Sequence, residues 1–94
     1  MILPKLLIIR KYIFLIFSAD LSEKRKHIHI EARKGRFRKS AKFWIEPEIE
    51  LVDAGDFNKK EVNELINIVK DHKLIIENQI DKFLSGKKIK TIKL

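Results

Sequence analysis

KHIHIEARKGRFRKSAKFWIE, Lys26 to Glu46, alternates apolar and polar residues on either side of a single glycine. Ile28, Ile30 and Ala32 fall on one side of an extended chain, and His27, His29, Glu31 and Arg33 on the other, the pattern of a half-buried strand. Gly35-Arg36 supplies a two-residue loop with glycine first, as a type II′ hairpin turn requires. The next strand, Lys39 to Glu46, alternates in the same way until Pro47 interrupts it. With Lys34 opposite Phe37, paired residue numbers sum to 71. Ile28 then meets Phe43 and Ile30 meets Ala41 on the core side. The other side pairs His27 with Trp44, His29 with Lys42, Glu31 with Ser40 and Arg33 with Arg38. A longer loop between Arg33 and Arg38 keeps this register, whereas a slip of one residue would exchange the faces.

Upstream of this hairpin, Leu6 to Phe17 has the composition of a buried strand, or of two short strands bent at Arg10-Lys11. Ser18 to Lys24 reads as a polar loop. Downstream, EIELVD (Glu48 to Asp53) looks like a short edge strand with Ile49 and Leu51 inward, its charges discouraging further pairing. FNKKEV then marks a helix start: Asn58 is the N-cap, Glu61 at N3 closes a capping box, and Phe57 is placed to staple onto Val62. Val62, Leu65, Ile66, Val69, Ile76, Ile80, Phe83 and Leu84 form one stripe at helical spacing, and Ser85-Gly86 ends it. The stripe predicts one long helix, with Asp71-His72 as the place where it would break. Ile68, Leu74 and Ile75 lie off the stripe, an apolar excess that a homodimer through this helix would cover, as would a curved sheet. KKIKTIKL, at residues 87–94, reads as a basic tail, either disordered or a strand that orders on a partner. The expected fold is therefore α+β: a curved antiparallel sheet of about four strands packed on one long C-terminal helix. It forms a single domain over residues 1–86, followed by the tail.

Ninety-four residues allow one modest core. A composition of 45% hydrophobic and 36% charged residues, with three glycines and two prolines, is that of a folded chain rather than a disordered one. The lack of cysteine excludes disulfides, thiolate zinc sites and cysteine nucleophiles, and fits the cytoplasm, the expected location. MILPKLLIIRKYIFLIF is cut by Arg10-Lys11, so neither half has the length of a spanning helix, and no membrane partner is expected. The net charge of +8 is polarised. Residues 1–43 carry twelve Lys/Arg against three carboxylates, residues 44–86 carry five against ten, and the tail adds four lysines. Positive charge clustered in this way creates a field suited to an anionic partner.

Two histidines on one strand face, about 7 Å apart, open three chemistries. As metal ligands, His27 and His29 with Glu31 would face Lys42, Arg25, Arg33 and Arg38, whose charge repels a divalent ion, so neither a metal nor any other cofactor is expected. As acid-base catalysts, His27 or His29, with Glu31 beside them, would activate a ribose hydroxyl while Arg33, Arg38 or Lys42 holds the phosphate, the layout of a metal-independent ribonuclease. As a binding face, Arg25, Arg33, Arg38 and Lys42 would meet phosphates, Trp44, His27 and His29 would stack on bases, and Glu31 would orient an arginine. An acidic protein would satisfy the same face, and a merely solvated outer surface has the same pattern.

Around RKHIHIEAR (residues 25–33) the sequence resembles a small bacterial family of unknown function with a P-H-F-H-V-like stretch after an apolar strand and an acidic, polar loop. His27, His29 and Ile30 match that stretch, while Lys26 stands where the family commonly has proline. The likeness continues through AKFWIEPEIEL and FNKKEVNELINIVKDHKLIIENQIDKF, covering roughly residues 8–86. It implies an α+β domain with a strand-rich first half. Family members are often encoded beside a second small protein, and the pair resembles a toxin-antitoxin module. It implies no particular catalytic residue. The leading expectation is a small basic binding protein of a toxin-antitoxin-like or defence module. It would meet RNA or an acidic protein, such as a neighbouring gene's product, through the His27-to-Trp44 hairpin face. The alternatives are a ribonuclease using His27 or His29, and a homodimeric interaction protein.

Overall fold

In the computed structural model, residues 5–16, 26–34, 36–46 and 48–94 are described. Arg25, the Ser18-to-Lys24 loop, Gly35 and Pro47 lie outside the described residues. Strands β1 (Lys5–Ile9), β2 (Tyr12–Leu15), β3 (His27–Lys34), β4 (Phe37–Trp44), β5 (Glu50–Asp53) and β6 (Ile92–Lys93) form one sheet in the order β5-β4-β3-β2-β1-β6. All neighbours are antiparallel except β1 and β6, which run parallel. Two helices, α1 (Lys59–Asp71) and α2 (Lys73–Leu84), follow β5.

The β3–β4 pairing has the register the alternation predicts, from His27 opposite Trp44 to Lys34 opposite Phe37. Ile28, Ile30, Ala41 and Phe43 join Tyr12 and Phe14 of β2 and Leu7 and Ile9 of β1 in a single apolar core with Leu65, Val69, Ile76 and Ile80 of the helices. The capping box at the start of α1 is also formed: the Asn58 side chain accepts the Glu61 N–H at 2.8 Å, and the Glu61 carboxylate accepts the Asn58 N–H at 3.1 Å. These bonds satisfy two backbone donors that no helical carbonyl reaches.

Three features differ from the expected architecture. The sheet has six strands and is mixed: the apolar run divides at Arg10-Lys11 into β1 and β2, and β6 adds a strand parallel to β1. Arg10 adopts a left-handed φ of 55°, which lets a two-residue turn close between Ile9 and Tyr12. The helical stripe breaks at His72, where φ is −118° and the imidazole Nδ1 lies 2.9 Å from the Ile68 carbonyl. A side chain bonded to the preceding turn marks this break without any proline or glycine. Finally, part of the basic segment from Lys87 forms a strand: Ile92 and Lys93 extend the sheet beyond β1, and the Gln79 side chain donates to the carbonyls of both Leu6 and Lys90 at 2.8 Å.

Burial within the fold also takes up most of the apolar excess on the helices. Ile68 is buried and Ile75 half-buried, which leaves Leu74 (77% exposed) and Leu84 (45%) as the large apolar side chains that α1 and α2 expose. No helix among the described residues is long and apolar enough to cross a membrane.

Candidate nucleic-acid interface

The sheet face away from the helices carries the residues singled out by alternation. His29, Glu31, Lys42 and Trp44 are all there, together with Leu15 and Ile13 of β2, which lie opposite His29 and Glu31. This face is less open than alternation alone suggests. His27 is 2% exposed, flanked edge-on by Trp44 at 5.3 Å between ring centroids and by His29 at 5.6 Å. Glu31 is also buried, and Arg38 donates to its carboxylate at 3.2 Å, a diagonal pair that relieves the placement of Arg33 directly opposite Arg38. The Lys42 ammonium lies 5.2 Å from the Trp44 ring centre, in cation–π range. Arg33 and Arg38 are exposed, and His29, Lys42 and Trp44 half-buried. His29, Ser40, Ala41 and Lys42 border a shallow cleft of about 220 Å³, closed on the far side by Val52 and Asp53 of β5. His72 lies on the helical layer at the α1–α2 break, remote in the fold from the other two histidines. Among the described residues no group of three or more His, Asp or Glu side chains is placed to hold a metal ion.

A second assembly is not visible from alternation. Because Tyr12 pairs with Ala32, the Arg10-Lys11 turn ends up beside Arg33, at the same end of the sheet as the β3–β4 turn. Arg10, Lys11, Arg33, Arg36 and Arg38 are all exposed there. Phe37, on the core-side register of β4 but past the edge of the helical layer, is 78% exposed. Next along the same side of β4, Lys39 donates to both oxygens of Glu61 in the first turn of α1, at 2.9 and 3.1 Å. Lys11, Ala32, Arg33, Lys39 and Glu61 line a cleft of about 280 Å³. The Glu61 carboxyl is held below the usual range, first by the Asn58 N–H and then by Lys39 and Lys11, so it is ionised around neutrality. Beneath the cleft the Tyr12 phenol is pushed up by burial and by the nearby Glu64 and Glu61 carboxylates. The sequence signal for this assembly was present in two separate places, Arg10-Lys11 and KGRFRK, but nothing local says that they adjoin.

With a sheet-and-helix core and a two-histidine strand in place, the comparison with known families is direct. The chain belongs to the family described as a domain of unknown function, DUF4160, which matches residues 12–79. That stretch runs from β2 through most of α2, so it includes the hairpin, both histidines and the capped helix. No curated protein and no solved structure matches the chain.

Proposed function

We propose that the chain is a small binding module that grips RNA through the basic end of its sheet and the β3–β4 hairpin, as one component of a toxin-antitoxin-like or defence pair. The observation that carries this reading is the convergence of two turns, which sets Arg10 and Lys11 beside Arg33, Arg36 and Arg38. Glu64 at 3.5 Å from Arg10 and Glu31 at 3.2 Å from Arg38 offset part of the repulsion among these charges, and an anionic polymer would offset the remainder. An acidic protein would answer the same charge. RNA is favoured because the exposed Phe37 ring sits among the arginines, and an aromatic face adds affinity for bases but none for carboxylates. The paired-module part of the reading rests on the resemblance noted in the sequence, and a phosphate-gripping protein fits the toxin side of such a pair. Binding of single-stranded RNA should weaken steeply with salt, with log K falling by about 0.7 per phosphate contacted for each unit of log salt. Affinity indifferent to salt would overturn the proposal.

A ribonuclease reading has one observation on its side: His29 borders a cleft with Ser40, Lys42 and Asp53, so an imidazole and a cation adjoin the same space. His27, at 2% exposure, is covered by the rings of Trp44 and His29 and is less favoured for this role. Cleavage abolished by His29→Ala with binding retained would support this reading. A homodimer through the helices is left with Leu74 and Leu84 as its anchors, and a mass that rises with concentration would support it.

A further inference from the structure

The face that alternation marks for function is the outer one, with the histidines and Trp44. The stronger constellation lies at the end of the sheet, at the mouth facing α1, where Lys39 of the core side meets Lys11 and Arg33 at the rim. Building on the RNA-binding reading, we propose that the cleft between Lys11, Arg33 and Lys39 seats a backbone phosphate of single-stranded RNA, and that Phe37 stacks on the adjoining base.

Three independent observations converge here. The first is charge: the cleft is bordered by three cations and one carboxylate, and that carboxylate is already engaged by Lys39 and the Asn58 N–H. Glu61 also feels the charge of Lys11, but one carboxylate does not balance three cations, so the cleft lining keeps a net positive charge. The second is the helix above it. Lys59 and Lys60, both exposed, occupy the first two positions of α1, the end where the helix dipole disfavours cations. Two lysines set against the dipole are unfavourable in the isolated fold and become favourable when an anion arrives. The third is the ring. Phe37 is two positions from Lys39 on the same side of β4, which places it roughly 7 Å away, about the step from a phosphate to its own base. At 78% exposure it contributes almost nothing to the core, so an aromatic there serves the surface.

The cleft, about 280 Å³, has room for a phosphate, and Phe37 lies outside its lining, where the adjoining base would be. The geometry thus suits a strand crossing the mouth with its backbone inward. It does not suit a duplex, in which every base is already stacked and paired.

The test is titration of a labelled oligouridylate of about ten nucleotides into the whole chain and its variants at several salt concentrations. Phe37→Ala, at an exposed position, is expected to fold normally and to weaken binding roughly tenfold with the salt slope unchanged. Lys11→Gln and Arg33→Gln should each weaken binding and lower the salt slope by about 0.7. Lys70→Gln, an equal loss of charge at the far end of α1, should change affinity by less than about twofold. A strand carrying 5-iodouridine should photocrosslink to Phe37. Salt-dependent binding by the parent chain that none of the first three variants alters would sink the cleft and leave the RNA reading standing. No RNA binding by the parent chain, or binding of polyglutamate in its place, would remove both.

Discussion

The side-chain amide of Gln79 donates to the backbone carbonyl of Leu6 at 2.8 Å, joining α2 to β1 across 73 positions of sequence. The same nitrogen also donates to the Lys90 carbonyl, so one buried amide fixes both the first strand and the segment leading to β6. Gln79→Leu should therefore cost about 2 kcal/mol, since two inward carbonyls lose their donor. A drop in melting temperature on the order of 10 °C would follow for a chain of this size. Amide exchange should show protection lost first at Leu94, whose N–H donates to the Ile8 carbonyl at 2.9 Å. An unchanged exchange pattern there would mean that β6 is held by other contacts.

Gly55 takes a left-handed φ of 54°, and its N–H donates to the Asp53 carboxylate at 2.9 Å. A methyl group on this residue would meet the Ser40 carbonyl oxygen in β4. Gly55→Ala thus combines backbone strain with a clash against main chain that cannot turn aside, and is expected to destabilise by about 2 kcal/mol or more. Urea denaturation gives the measurement, and a loss below about 0.5 kcal/mol would contradict the close approach.

Asn58→Ala removes the side-chain half of the capping box and should cost about 1 kcal/mol. Glu61 adds a pH dependence. Its carboxyl is depressed in the folded chain, so its contribution is present above the ordinary carboxylate value and is lost as pH falls through the lower folded value. Stability measured from pH 6 downward should fall less steeply in Glu61→Gln than in the parent chain.

Lys26 bridges Glu46 at 3.1 Å and Asp81 of α2 at 2.7 Å. Its pKa is raised, chiefly by the hydrogen bond to Asp81 and less by that to Glu46. The linkage therefore runs opposite to that of Glu61: the contribution is complete below the unfolded lysine value and disappears as pH rises through the folded one. Lys26→Met should lose about 1 kcal/mol or less at neutral pH, because both partners are partly exposed. Its stability should then decline less than that of the parent chain at pH above about 10.

What could be read from the sequence was local. The hairpin register followed from alternation around one glycine, and the start of α1 from Phe57, Asn58 and Glu61, because each signal lies within a few residues of what it controls. The division of β1 from β2 was legible only as a bend, since Arg10 occupies a left-handed position usually marked by glycine or asparagine. The break at His72 was legible only as a polar pair within the apolar stripe, and one imidazole bonds there to the turn before it. β6 was hidden for a different reason. Lysine alternating with isoleucine resembles a solvated tail, and its pairing depends on Gln79 and on Thr91, whose hydroxyl donates to the Lys5 carbonyl at 2.8 Å. For the site, alternation identified the outer face but not the enclosure of His27. It also missed Phe37 and Lys11, whose two turns are brought together only through strand order.

The short parallel strand beside β1 has a bearing on solubility. KLLII is the most apolar stretch of main chain near either rim of the sheet, and an uncovered rim of that kind recruits the same stretch from other molecules. Ile92 and Lys93 cover part of that rim by pairing with Leu7 and Ile8, with lysines at 90 and 93 set against further stacking. Truncation before Lys87 should therefore yield a chain that precipitates in long-term storage even at temperatures where its core remains intact.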